Sequence, residues 1–142
     1  MSGITPNEEC IAAYNLFKLQ NSKHGDKFRF IIYRIKGEEI VVDKKGPESA
    51  TWEDFIEEID SGDGAYGIFD YHTTGDDGRK YEKIVFVQWT PDTLKVRAKM
   101  LYGSTCEAFK NALGTGIALA IQASGVDDID EEEVKKQVIK AQ

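Results

Sequence analysis

The sequence predicts an α/β (α+β-like) chain: a central mixed β-sheet of about five strands, flanked by helices on both faces. Three observations predict it. Runs rich in aromatic and β-branched residues alternate with runs whose apolar residues recur at helical spacing. The run Lys83–Trp89 is apolar on both faces, so it belongs at the centre of a sheet covered on both sides. Helical patterns stand before, between and after the strands. The 142 residues suit a single domain, 1–142, with one substantial core.

The elements follow in order. Residues 1–5 are expected to form a flexible arm. Thr5-Pro6-Asn7-Glu8 starts a first helix, with Thr5 as cap, Pro6 at the first helical position and Glu8 closing a capping box. Cys10, Ile11, Tyr14, Leu16 and Phe17 give that helix its apolar face to about Gln20. Phe28–Ile35 is a strand with Phe28, Phe30 and Ile32 on one face and Arg29, Ile31 and Tyr33 on the other. Its hairpin partner is Glu39–Asp43, and 44–48 is a loop. Ser49–Ile59 is a helix carrying Trp52, Phe55, Ile56 and Ile59 inward. Ala65–Tyr71 and Lys83–Trp89 are strands joined through the turn-rich segment 73–79. A long helix runs from Lys95 to Leu113, capped by Asp92 or Thr93 and stopped by Gly114 and Gly116. Ile117–Ala123 is a further strand and Asp130–Lys140 a final helix.

Composition narrows the function. Hydrophobic residues make up 41% and charged residues 30%, the ordinary balance of a globular chain. No apolar run approaches the roughly 20 residues that span a bilayer. The first nine residues lack a basic start and an apolar stretch, so no secretory signal is expected and the location is cytoplasmic. A net charge of −7 argues against general nucleic-acid binding. Cys10 and Cys106 are too few for a disulfide framework and read as reduced thiols, Cys10 packed and Cys106 near the surface. His24 and His72 have no companion at metal-ligand spacing, Asp60 to Gly64 reads as a helix-end turn, and the glycines form no phosphate loop. No catalytic constellation, metal site or cofactor site emerges. The expectation is a binding module, not an enzyme.

The long helix breaks two rules. Lys95, Arg97 and Lys99 crowd its first turns, with no acid until Glu107. The positive end of the helix dipole disfavours each cation by about 0.3–1 kcal/mol. At about 100° per residue, Ala98, Leu101, Tyr102, Thr105, Ala108, Phe109, Ala112 and Leu113 form the inward arc. Val96 and Met100 then fall on the outward arc, beside the small Gly103 and Ser104 and between Arg97 and Lys99. An apolar centre, small neighbours and a cationic rim suit a contact surface. The same pattern also fits a solvated helix with one stray methionine.

These residues also carry a resemblance. Ser2-Gly3-Ile4, Tyr66-Gly-Ile-Phe-Asp-Tyr71, Lys83-Ile-Val-Phe-Val-Gln-Trp-Thr-Pro-Asp92, Val96-Arg-Ala-Lys-Met-Leu-Tyr-Gly-Ser-Thr105 and Ile121-Gln-Ala-Ser124 occur in the order and spacing of the actin-depolymerising factor (ADF)/cofilin family. The chain resembles that family over almost its whole length. The resemblance implies the ADF-homology (gelsolin-like) fold. It implies binding to monomeric and filamentous actin, with the ADP form preferred, and severing and depolymerisation that speed turnover. By motif match, Val96, Arg97, Lys99, Met100 and Ser104 of the long helix would meet actin, together with Ser2, Gly3 and Ile4 of the arm. Arg79, Lys80, Lys83, Lys135 and Lys136 are the candidates for a second, filament-specific contact. Ser2 matches a serine whose phosphorylation blocks binding. The alternatives within the fold are a coactosin-like filament binder that does not sever, and a monomer-binding module with a weakened filament site. Two departures bear on this. Cys106-Glu-Ala-Phe-Lys-Asn-Ala112 replaces most of a basic run, which leaves phosphoinositide binding open, and Tyr81 stands where an arginine is usual. The resemblance implies a cytoskeletal protein, expected to be a monomer, with actin as partner.

Overall fold

The computed structural model describes residues 3–18, 27–60 and 63–141. In chain order the elements are β1 (Thr5–Pro6), α1 (Glu8–Lys18), β2 (Phe28–Lys36), β3 (Glu39–Pro47), α2 (Trp52–Ile59), β4 (Ala65–Thr74), β5 (Lys80–Trp89), α3 (Val96–Leu113), β6 (Ile117–Ala123) and α4 (Glu131–Lys140), with a short 3-10 turn at Val126–Ile129. The six strands form one sheet in the order β1-β3-β2-β4-β5-β6. Its central pairings are antiparallel, and both outer pairings, β1 with β3 and β5 with β6, are parallel.

Alternation along the strands divides the interior into two cores. Phe30, Ile32, Phe69, Val85, Val87 and Trp89 face α2 and α4, meeting Trp52, Phe55, Ile59, Val134 and Val138. Ile31, Tyr33, Tyr66, Ile68 and Phe86 face α1 and α3, meeting Cys10, Tyr14, Phe17, Tyr102, Phe109 and Leu113. The doubly apolar Lys83–Trp89 run is therefore interior to the sheet, between β4 and β6, as its sequence predicts.

Several expectations are corrected. Thr5 does not cap α1. It pairs with Glu39 as a sixth strand, and its N–H donates to the Glu38 carbonyl at 3.2 Å. The cap is Asn7, whose Oδ1 accepts the Glu9 N–H at 2.8 Å. Asn7 follows Pro6 directly and its own N–H still donates to the Ile40 carbonyl at 2.8 Å, so α1 starts where the chain leaves the sheet edge. Residues 44–47, expected in a loop, continue β3 opposite β2. Gly46 makes that possible, since a Cβ there would lie 2.2 Å from the Phe30 ring. A register shift between Phe28 and Phe30 turns Phe28 to the α1/α3 side, against simple alternation. The β4–β5 hairpin extends to Thr74 and Lys80, leaving a shorter tip than 73–79. The second helix starts at Trp52, not Ser49, because Thr51 and Asp54 form a reciprocal capping box.

Candidate partner-binding surface

Tyr102 fixes how α3 lies on the sheet. Its hydroxyl accepts the Ile35 N–H at 2.9 Å, and its own carbonyl accepts the Tyr66 hydroxyl. Gly64 lets the ring come close, because a Cβ at that position would lie 2.5 Å from it. Further along, Phe109 stacks edge-on to Tyr33 at 5.0 Å between ring centres and lies 5.1 Å from Tyr66. The buried stripe is Tyr102, Thr105, Cys106, Phe109 and Leu113, while Ala108 and Ala112 are exposed. The inward arc is therefore rotated toward Cys106 relative to the sequence expectation. Cys106 is buried, not superficial, and burial raises its pKa and keeps the thiol protonated.

With that face locked, the opposite face is open to solvent among the described residues. Val96 is 71% exposed and Met100 68% exposed. Gly103 and Ser104 beside them are exposed, and Ser104 Oγ turns back to the Leu101 carbonyl at 3.3 Å. A Cβ on Gly103 would meet nothing closer than 3.9 Å, so the glycine leaves a shallow step on the helix surface. Lys95 and Arg97 are exposed, without an ion-pair partner among the described residues. Lys99 is half-buried, and its Nζ donates to the Asp92 carbonyl at 3.1 Å. Neither Asp92 nor Thr93 caps α3. Lys95 occupies the cap position in an extended conformation (φ −62°, ψ 144°) with no side-chain cap bond. The helix thus starts with open amides and unneutralised cations, a strongly positive end.

The arm lies beside this helix. Ser2 is outside the described residues. Gly3 is exposed in the left-handed region (φ 79°), and Ile4 is half-buried against the core that α3 helps to form. β1 itself contacts α3. Ile4 and β1 thus lie next to the core that the inward face of α3 covers.

The second set of candidates lies elsewhere. Arg79 and Lys80 sit at the β4–β5 hairpin, at the start of β5, whereas α3 follows its other end. Ten strand residues put about 30 Å between this hairpin and the end of β5 that leads into α3. Arg79 is exposed and lies 3.9 Å from Asp77. Lys135 and Lys136 are exposed on α4, Lys136 within 3.9 Å of Glu133. Lys83 is half-buried and spends its Nζ on the Ala141 carbonyl, tying β5 to the end of α4. Tyr81 packs against the α2/α4 core, so it does not replace an exposed arginine. His72 contacts Asp70 at 3.0 Å and Glu82 at 3.6 Å; His24 lies outside the described residues. No group of three or more metal-ligating side chains occurs among the described residues, and no helix is long and apolar enough to cross a membrane.

A family model described as "Cofilin/tropomyosin-type actin-binding protein" matches residues 3–139. This chain belongs to the ADF/cofilin family. Cofilin of Gibberella zeae is 38% identical, over 98% of this chain and 95% of its own. Actophorin of Acanthamoeba castellanii is 34% identical over 99% and 98%. Actin-depolymerizing factor 7 of Arabidopsis thaliana is 32% identical over 97% and 96%. Among solved structures, Streptomyces griseoflavus cofilin superposes with a TM-score of 0.84 at 28% identity, covering 98% of this chain and 99% of that one. Human coactosin-like protein shares the fold at a TM-score of 0.79 and 21% identity, covering 97% and 99%. The family's fold expectation is met, with six strands in place of about five.

Helical periodicity marks the outward face of α3, but what holds that face outward is not local in sequence. The Tyr102 latch joins a side chain to a backbone amide 67 residues away, and no local pattern signals that. Tyr102 stands inside the motif, but its ring points inward and so supports the surface from beneath.

Proposed function

We propose that this chain binds actin monomers and filaments, with preference for the ADP form, and severs and depolymerises filaments to speed subunit turnover. Membership of the family and the names of its relatives support that reading. The observation that carries it is the exposed pair Val96 and Met100, flanked by the unpaired Lys95 and Arg97 on a helix whose other face is locked. In this reading Val96 and Met100 enter an apolar cleft on actin. Arg97 and Lys99 meet acidic groups at its rim, Ser104 and Gly103 permit close approach, and Ser2, Gly3 and Ile4 close over one side. Phosphorylation of Ser2 would add about −1.5 to −2 charge beside this positive surface and oppose docking. The working location is the cytoplasm, on the actin cytoskeleton.

The test is the double variant Arg97→Glu, Lys99→Glu. Both residues lie outside the cores, so its melting temperature should stay within a few degrees of wild type. Its co-sedimentation with filaments and its binding to monomers should weaken at least tenfold. Undiminished binding would move the contact away from α3. Wild-type binding should also weaken as salt rises, through screening of the cationic rim.

One observation favours a second reading, a monomer binder with a weakened filament site. Lys83 is engaged with Ala141 and Tyr81 is packed inward, which leaves Arg79, Lys80, Lys135 and Lys136 to serve the filament contact. Imaging of single filaments separates the readings. Breaks along the filament support severing. Decoration without breaks supports coactosin-like behaviour, and capture of monomers with bare filaments supports the weakened site.

A further inference from the structure

Arg34 is buried, and its guanidinium gathers a carboxylate and several backbone carbonyls. Its Nε donates to Asp43 Oδ2 at 3.0 Å. Its Nη2 donates to the Glu58 carbonyl at 3.1 Å and lies 3.5 Å from that of Ile59. Its Nη1 donates to the Asp63 and Gly64 carbonyls at 3.1 and 2.9 Å. A buried guanidinium needs such partners, and its planar fork can serve several at once. The bonds to Glu58 and Ile59 complete the C-terminal end of α2, whose last turn has no basic residue of its own. Capping α2 does not account for the bonds to Asp63 and Gly64.

The strand register shows what those two bonds do. The pairing of β2 with β4 ends at Tyr33 opposite Tyr66. Continued in the same register, it would set Ile35 opposite Gly64. Lys36 faces Glu39 across the turn of the β2–β3 hairpin, so the Ile35 N–H points away from β3, to the β4 side. Its ordinary partner in such a ladder is the Gly64 carbonyl. Arg34 takes that carbonyl, and the Ile35 N–H goes instead to the Tyr102 hydroxyl at 2.9 Å. The Tyr102 ring lies against Gly64, as does the side chain of Leu94 just before α3.

We propose that Arg34 is a positioning residue for the partner-binding face of α3. By occupying the Gly64 carbonyl it keeps the β2–β4 ladder from closing further, and so holds open the slot that the Tyr102 hydroxyl enters. Without the guanidinium, the Ile35 N–H turns to Gly64, the Tyr102 hydroxyl loses its place, and α3 is free to rotate on the sheet. Arg34 thus acts on Val96 and Met100 through Tyr102. The inference deepens the actin-binding reading and rests on it for its binding measurements, though not for its structural ones.

Arg34→Met keeps an unbranched side chain and removes the donors. Well below its melting temperature, the nuclear Overhauser contacts between the Tyr102 ring and the Gly64 α-protons should weaken. Binding to actin monomers should weaken about tenfold. Combined with Tyr102→Phe, it should weaken binding no further than the more damaging single change, because both act on one latch. Asp43→Asn leaves the guanidinium its carbonyls and should match wild type in both readings. Arg34→Lys retains a charge for Asp43 without the fork. It should follow Arg34→Met, and it carries the test where Arg34→Met melts too low. Overhauser contacts of wild-type strength in the Arg34 variants overturn the proposal, whatever the actin measurements show. So do losses of affinity that multiply in the double variant, or an Asp43→Asn loss equal to that of Arg34→Met. The Arg97→Glu, Lys99→Glu variant is the control for the reading beneath. If it binds actin like wild type, the contact is not on α3, and the Overhauser contacts alone decide whether Arg34 holds Tyr102.

Discussion

Tyr102 shows how a single side chain can serve a surface it does not belong to. Its hydroxyl completes the hydrogen bonding of the Ile35 amide at the end of β2, and its carbonyl takes the Tyr66 hydroxyl. Both bonds fix the rotation of α3, and that rotation decides whether Val96 and Met100 face outward. Tyr102→Phe keeps the ring packing and leaves the Ile35 N–H without its partner. The expected cost is about 1–2 kcal/mol, read as a fall of roughly 4–8 °C in melting temperature. A Tyr102→Phe chain that melts like wild type would show that water replaces the hydroxyl at no cost. Lys99 makes a related point. Its Nζ already holds the Asp92 carbonyl at the entry to α3, so Arg97 is the freer of the two rim cations. The sequence alone gives them equal standing.

At the scale of the element, α3 trades stability for its positive end. Lys95 sits at the cap position with the extended backbone that a capping residue needs, yet its side chain makes no cap bond. Lys95→Asp should accept the open amides of the first turn and complement the dipole. The expected gain is about 1 kcal/mol of stability, measured by denaturant unfolding. The same change removes one rim cation and adds an anion, so actin binding should weaken while stability rises. If both rise, the positive end of α3 is not part of the contact. This element also shows what was legible beforehand. Its length, its stop at Gly114 and the outward place of Val96 and Met100 follow from periodicity and glycine chemistry, which are local. Its cap did not follow, because the path of residues 90–95 is set by bonds to the next strand, such as Thr90 N–H to the Ala123 carbonyl. The inward turn of Cys106 did not follow either, because where the stripe is centred depends on which strands lie beneath. β1 escaped for the same reason: two residues with no strand pattern of their own pair only because β3 is already there. The turn of Phe28 depends on a register shift against β3, a property of two strands together.

At the scale of the whole molecule, one sheet with two cores buries five of the six tyrosines and both cysteines. Burial pushes the Cys10 thiol up to about 11 and the Tyr14 phenol up to about 12. Burial likewise raises Tyr33, Tyr66, Tyr71, Tyr102 and Cys106. In the unfolded chain thiols ionise near 8.5 and phenols near 10. Above those values the unfolded chain has released protons that the folded chain still holds. The stability tied to these groups is therefore complete below about pH 8.5 and is lost as pH rises toward their folded values. Each such group contributes up to about 1.4 kcal/mol per pH unit, and several act together between pH 10 and 12, against a total stability of about 5–15 kcal/mol. The chain should therefore unfold cooperatively in that range, and most of its tyrosinate absorbance should appear together with the loss of helical circular dichroism. Both cores share β2, β4 and β5, so the tyrosines of the two faces should titrate in a single step. Smooth ionisation centred near pH 10 with the circular dichroism intact would mean that the phenols are solvated in the folded chain. Two separate steps would mean that the faces of the sheet unfold independently, and the α3 surface would then rest on the α1/α3 core alone.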